Sequence, residues 1–299
     1  MNLDHYRRIL AGEDFLFPLS PRAVWHLTGP DAERYLNGQV TCDVTALKKY
    51  HASYAAVCTA KGRMEGDVTI ARRDDEFFLD ADFSLRESLG ARLEKFLIAD
   101  DALFEDVLES WSVVHFFDKA VPTLNENGFE GAFTIPNARF GVPGYDMWFP
   151  TAYASFGGNL VEADVVETLR IEHAIPRWGA ELTPHTLPPE AGPHMLDAIS
   201  YTKGCYVGQE TIARLKSVGH VNRTLVFLRS ESEAFPAPET KLMLADNADK
   251  EVGTVTSSGF SPRLEKGMAL GYVPRQSAAE GTEFKAGDLR LTVTVPFSN

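Results

Sequence analysis

The 299-residue chain carries 29 Lys and Arg against 42 Asp and Glu, a formal net charge of −13, with 44% hydrophobic and 24% charged residues. That balance is ordinary for a soluble globular protein and excludes wholesale disorder. The negative field opposes general nucleic-acid binding while leaving a local basic groove open. The three cysteines, Cys42, Cys58 and Cys205, match neither a disulfide framework nor a zinc-site spacing, so reduced thiols and no metal site are expected. No apolar run approaches the roughly 18 residues that cross a bilayer, and the opening MNLDHYRRIL does not read as a secretory signal. A cytoplasmic location with no membrane partner is the expectation.

In chain order, Asp31–Val40 follows Gly29-Pro30 with an acidic first turn, and predicts a short helix that runs into a turn or strand at Gly38-Gln39. Asn37, Gln39, Thr41 and Asp43 alternate with Gly38, Val40 and Cys42, a period of two that would set four polar side chains on one face of an extended segment. Ala52–Val57 and Asp67–Ala71 flank the turn Thr59–Arg63 and predict two joined strands; Phe77–Leu79 predicts the next. The clearest helix starts at Ser84, with Glu87 placed to complete a capping box, and Leu85, Leu89, Leu93, Phe96 and Leu97 recur at helical spacing. Trp111–Phe117 reads as a buried strand, Asn125–Gly128 as a turn and Gly144–Phe149 as another strand.

Val165, Val166, Leu169 and Ile171 predict a second helix that stops near Pro176. A Pro-rich loop over 183–193 follows and leads into Lys203-Gly204-Cys205-Tyr206-Val207-Gly208-Gln209-Glu210. After Arg223 the pattern changes to short strands over 225–228, 252–256 and 270–273, closing with Leu289, Leu291, Val293, Val295 and Phe297 in strict alternation, and 230–239 is a connecting loop. Mixed α+β is therefore the fold class, with a boundary near residue 222.

The octapeptide around Cys205 is where chemistry is expected. Glycines at 204 and 208 let the backbone turn and uncover the thiol, and a nearby ammonium such as Lys203 would favour the thiolate, the form that attacks electrophiles or binds soft metals. A buried, inert Cys is the alternative reading of the same residues. Dinucleotide, P-loop, zincin and hydrolase motifs are missing from the chain.

Those eight residues resemble the K-G-C-[FY]-x-G-Q-E signature of the YgfZ/IBA57 family, folate-binding iron–sulfur assembly factors related to the glycine-cleavage T-protein. Leu27–Val44 is similar to that family's N-terminal signature, and Lys61-Gly62-Arg63, Gly144-Tyr145-Asp146, Arg170-Ile171-Glu172 and Pro189-Glu190-Ala191-Gly192 fall in the family's order. The resemblance implies a T-protein-like folate-binding region over 1–222 in two subdomains, with antiparallel sheets and helices around a central cavity, and a C-terminal β-barrel over 223–299. It implies tetrahydrofolate or a folate derivative as cofactor, iron–sulfur client or assembly proteins as partners, and Cys205 as the acting residue. Among folate contacts it implies Glu172, whose carboxylate suits the paired N–H donors of the pterin edge, with Asn37, Gln39, Lys203, Tyr206 and Gln209 beside it. Arg63, Lys203, Arg214 and Lys216 are the cations available for a folate glutamate tail.

T-proteins place an acidic residue after a glycine turn, near the reactive nitrogen of the cofactor. Here the stretch reads Gly62-Arg63-Met64-Glu65-Gly66-Asp67, in which Glu65, Gly66 or Asp67 could occupy that position. The expected function is a tetrahydrofolate-binding accessory factor for iron–sulfur proteins, and the alternative is a folate-dependent one-carbon (aminomethyl) transferase.

Overall fold

The computed structural model describes residues 1–118, 120, 130–151, 158–245 and 247–298. Among the described residues, three antiparallel sheets are built from fifteen strands. A five-stranded sheet has the order β3 (Ala52–Cys58), β4 (Met64–Arg73), β5 (Glu76–Asp82), β2 (Arg22–Thr28), β6 (Leu103–Asp106). A four-stranded sheet has the order β1 (Leu16–Pro18), β7 (Trp111–Phe116), β9 (Tyr145–Pro150), β8 (Phe133–Pro136). A closed barrel runs β10 (Arg223–Ser230), β13 (Lys266–Pro274), β12 (Asn247–Ser261), β11 (Lys241–Leu244), β14 (Glu283–Ala286), β15 (Leu289–Thr294). Closure leaves the barrel without a free edge to pair with other chains.

Strand alternation decides what each face of the five-stranded sheet meets. Ala55, Val57, Val68 and Ile70 point to one side and pack under α2 (Ala32–Gln39) and α3 (Arg86–Lys95) through Tyr35, Leu36, Leu89 and Leu93. On the other side Val24, Ala71 and Phe78 pack against Val113, Phe133 and Trp148 of the four-stranded sheet. Further helices are α1 (Leu3–Ala11), α4 (Ala163–Glu172), α5 (Gly192–Asp197) and α6 (Gln209–Ser217). Among the described residues no helix is long and apolar enough to cross a membrane.

Three expectations are corrected. The segment 37–43 is not an extended polar face, because α2 continues through Gln39, and only Val40 bridges to Val57. The capping box at Ser84 does not form: Asp82 accepts from the Ser84 backbone N–H at 3.0 Å and its hydroxyl at 2.6 Å, a 3₁₀ turn intervenes, and α3 starts at Arg86. A carboxylate two residues upstream outcompetes the hydroxyl as acceptor and turns it into a donor. An unpredicted helix, α6, takes in only the last two residues of the Cys205 octapeptide, Gln209 and Glu210; one buried anchor, Ile212, is too little periodicity to announce it. The alternation that ends the chain outlasts its strand, which stops at Thr294 and leaves Val295 exposed. The turn expected at Asn125–Gly128 lies outside the described residues.

Candidate functional site

A cavity of about 170 Å³ lies where β3 and β4 meet Arg139, the chain leaving α4, and α5. Its floor follows from strand register. Tyr54 pairs with Thr69 and Ala56 with Asp67, so Tyr54, Asp67 and Thr69 share the face opposite the helices. Glu65 sits at a register break in the β3–β4 pairing and accepts from Arg92 of α3 at 2.8 Å. Gly66 faces the helices, where a Cβ would come within 2.8 Å of Leu89 and 3.1 Å of Leu85. Of the three positions weighed in the glycine turn, Asp67 alone lines the cavity.

Asp67 is 9% exposed; one carboxylate oxygen accepts from the Tyr54 hydroxyl at 2.8 Å, and the other is buried with no partner. Burial raises its proton affinity, the Tyr54 hydrogen bond and Arg22 draw it back, and Asp82 and Asp80 raise it further. An unpaired buried carboxylate oxygen costs stability, and a ligand N–H donor in the cavity would relieve that cost. His194, at the start of α5, packs on Tyr54 with ring centroids 4.9 Å apart, and burial lowers its proton affinity.

Four arginines reach the cavity, and they divide by pairing. Arg139 bridges Asp80 at 2.8 Å and Asp146 at 2.7 Å, and Arg22 meets Asp80 at 2.6 Å. His115 adds a 2.8 Å contact to Asp146, tying the two sheets through one buried network. Arg170 is held by Glu181 at 3.2 Å and the barrel residue Ser257 at 2.6 Å. Arg177, beside Trp178, is 55% exposed and has only a 3.7 Å contact with Glu167. It is the cation best placed for an anion at the cavity mouth.

The residues expected to bind cofactor mostly lie elsewhere. Glu172 is two residues from Arg170 on α4 and therefore faces away from the cavity; its carboxylate accepts from the Tyr6 hydroxyl at 2.9 and 2.8 Å and from Ser261, at the junction with the barrel. Gln39 accepts from Arg92 at 2.9 Å. Tyr206 is buried with an unpartnered hydroxyl near Cys58, and Gln209 opens α6. None of these lines the cavity, and neither do Arg63, Arg214 and Lys216.

Asn37 and Lys203 do come together, for a different purpose. The Lys203 ammonium donates to the carbonyls of Asn37, Val40 and Cys42, the last two at 2.7 Å, and to the Asn37 side chain at 3.2 Å. Burial pulls this amine down to about 8, opposed by Cys42 and Asp43. The ammonium thus pins the Cys205 loop to the end of α2, with its donors directed to these acceptors. Val207 N–H donates to Gly38 O at 3.1 Å and fastens the loop a second time.

Cys205 itself is exposed, whereas Cys42 and Cys58 are buried; burial raises the thiol of Cys42 and pushes that of Cys58 up to about 12. The two motif glycines differ as well. A Cβ at 204 would meet nothing within 4 Å, while at 208, with φ of 90°, it would lie 2.7 Å from Thr59 O. Gly208 is therefore the one the fold needs. Among the described residues no cluster of three or more His, Cys, Asp or Glu is arranged to hold a metal.

The missed residues Tyr54, Arg139, Trp178 and His194 come from four separate segments. The polar alternation Glu65, Asp67, Thr69 within an apolar strand was the one local signal for this cavity.

Residues 223–295 match the glycine cleavage T-protein C-terminal barrel domain. The chain is 30% identical over 274 residues to the tRNA-modifying protein YgfZ of Sodalis glossinidius, covering 81% of this chain and 80% of that protein. It is 29% identical over 294 residues to the tRNA-modifying protein YgfZ of Cronobacter sakazakii, covering 90% and 87%. In structure it superposes on the glycine cleavage system aminomethyltransferase T of Bartonella henselae with a TM-score of 0.81, covering 97% of this chain and 88% of that one at 20% identity. At that identity the likeness establishes the fold.

Proposed function

The chain belongs to the YgfZ family, related to the glycine-cleavage T-protein, and on that premise we propose that it is a tetrahydrofolate-binding accessory factor that supports tRNA modification by maintaining iron–sulfur client proteins through Cys205. The observation that carries the folate half is the buried, unpartnered oxygen of Asp67 facing the cavity. A pterin offers N–H donors to such an oxygen, and a charge-assisted hydrogen bond there is worth about twice a neutral one. Tyr54 orients the carboxylate from the other side. Trp178 supplies an apolar wall, and Arg177 meets the anionic tail outside. Tetrahydrofolate would supply a one-carbon carrier or a reduced ring; the chain's own residues bind it and exclude water.

The thiol half rests on exposure. Cys205 is the one accessible thiol among the three and is held on a loop fixed by Lys203 and Gly208. Thiolate is the form that ligates iron or exchanges with a disulfide or persulfide.

Titration calorimetry with tetrahydrofolate tests the first half. Wild-type protein is expected to bind, and Asp67→Asn, which keeps the shape but loses the charge, to bind at least tenfold more weakly; equal binding would remove Asp67 from the site. For the second half, a strain lacking its own factor is complemented with wild-type or Cys205→Ser protein and the activity of a [4Fe–4S] enzyme is read. Rescue by wild type alone is expected, and equal rescue would make Cys205 structural. The transferase alternative draws on the same Asp67, the acidic residue of the glycine turn that reaches the cavity. Folate-dependent release of ammonia from an aminomethyl donor, lost in Asp67→Asn, would favour it.

A further inference from the structure

Salt bridges absorb many of the chain's surface cations: Arg8, Arg34, Arg72 and Arg86 each lie within 3.4 Å of at least one carboxylate. Lys61, Arg63, Arg214, Lys216 and Arg275 differ. All five are exposed, and among the described residues none has a carboxylate within ion-pair distance. Exposed cations without a carboxylate partner occur elsewhere too, Arg7 and Lys48 among them, so it is the grouping of these five that matters.

They also share one surface. The turn carrying Lys61 and Arg63 packs on the first turn of α6, where a Cβ on Gly62 would lie 3.0 Å from Thr211. Arg63 donates to His185 O, and Lys216 sits 3.7 Å over the Tyr201 ring. A hollow lined by Arg63, His185, Glu190 and Arg223 meets at Asn222 a second one lined by His220, Arg275 and Gln276. Glu190 is the sole carboxylate lining either hollow among the described residues, and Arg223 neutralises it at 3.0 Å. Cys205 is exposed three residues before Gly208, whose backbone abuts Thr59 and Gly62.

We propose that this cationic belt docks an RNA strand, with Cys205 at its edge. Uncompensated cations in and beside adjoining hollows suit a phosphate backbone. The amides and imidazoles of Asn222, Gln276, His185 and His220, set between them, offer the neutral donors and acceptors that base edges use and that an acidic peptide does not need. The proposal rests on the RNA-linked part of the function above, and its test requires neither folate nor the thiol.

Binding of fluorescently labelled bulk tRNA to the full chain is measured by anisotropy at 50 and 200 mM KCl. Wild type is expected to weaken at least tenfold between the two salts. The triple variant Lys61→Ala/Arg63→Ala/Arg275→Ala should weaken at least tenfold at 50 mM, with a salt slope smaller by about two to three. Arg7→Ala/Lys48→Ala, which removes exposed cations from α1 and from the loop before β3, should bind like wild type. No binding by wild type at 50 mM, equal binding by the triple variant, or displacement of tRNA by poly-glutamate at matched charge would each overturn the proposal, the last in favour of an acidic protein. Failure of tetrahydrofolate to bind would instead defeat the cavity reading and leave this surface untouched.

Discussion

In the cavity wall Arg139 meets two buried carboxylates within 2.8 Å, whereas around Cys205 five exposed basic side chains meet none. The first arrangement is a scaffold. Burial makes each charge depend on its partner, so the wall is rigid and its free capacity is reduced to one oxygen of Asp67 and the half-exposed Arg177. The second is a surface open to recognition, where charge acts through water at longer range and remains available to an incoming ligand. The proposed small-molecule cavity and the proposed RNA surface thus differ in whether their charges are already satisfied.

The sharpest way to break that contrast is Arg139→Ala. Removing the shared cation leaves Asp80 to Arg22 alone and Asp146 to His115 and Asn137, with an expected loss of about 3 kcal/mol in urea unfolding; a loss under about 1 kcal/mol would show that the wall does not depend on the network. Lys203→Met comes next. It leaves the carbonyls of Asn37, Val40 and Cys42 without their donor, an expected cost of about 1–3 kcal/mol, while the alkylation rate of Cys205 in the folded protein stays unchanged because the ammonium faces inward.

Asp67→Asn is expected to move stability and binding in opposite directions. It removes a buried charge whose proton affinity is raised, gaining roughly 1 kcal/mol at neutral pH in the ligand-free protein, while tetrahydrofolate binding falls. A parallel loss of both would mean that Asp67 is structural. Cys205→Ser should change unfolding free energy by less than about 0.5 kcal/mol, as suits an exposed side chain.

The pH dependence follows from the same wall. Burial alone would raise the Asp146 carboxyl, but Arg139 and His115 hold it well below the usual carboxylate range. Its folded-state affinity for protons being depressed, its contribution is complete above the unfolded value near 4 and is lost as pH falls below that. Asp67 has the opposite sign: raised in the folded state, it disfavours the fold once pH exceeds the unfolded value. Acid unfolding curves of Asp146→Asn should therefore be flatter than wild type below about pH 4, and those of Asp67→Asn should separate from wild type above it.

Much of the architecture was legible residue by residue. The alternations in 52–57 and 289–293, the Leu85, Leu89, Leu93 stripe and the apolar face of 165–171 each announce their element because one face must be buried, while the octapeptide around Cys205 left open whether its thiol is exposed or buried. Extension of the polar pattern to 37–43 failed because helix and strand compete for the same short segment and tertiary packing of Tyr35 and Leu36 decided it. Glu172 was identified as a carboxylate with hydrogen-bonding capacity; the rotation of α4 determined that Tyr6 and Ser261 would take up that capacity.

Several strands, the helices over 86–95 and 163–172 and the family were therefore legible in the sequence itself, since periodicity and short motifs are local properties, whereas α1, β2, α5 and α6 were not. Which polar groups share a cavity was decided only in three dimensions. Tyr54, Asp67, Arg139, Arg177 and His194 are far apart along the chain, and each is an ordinary polar residue by its neighbours. Sheet register, the packing of two sheets and the end of α4 bring them together, and the pairing of nearly every charge there leaves one carboxylate oxygen free.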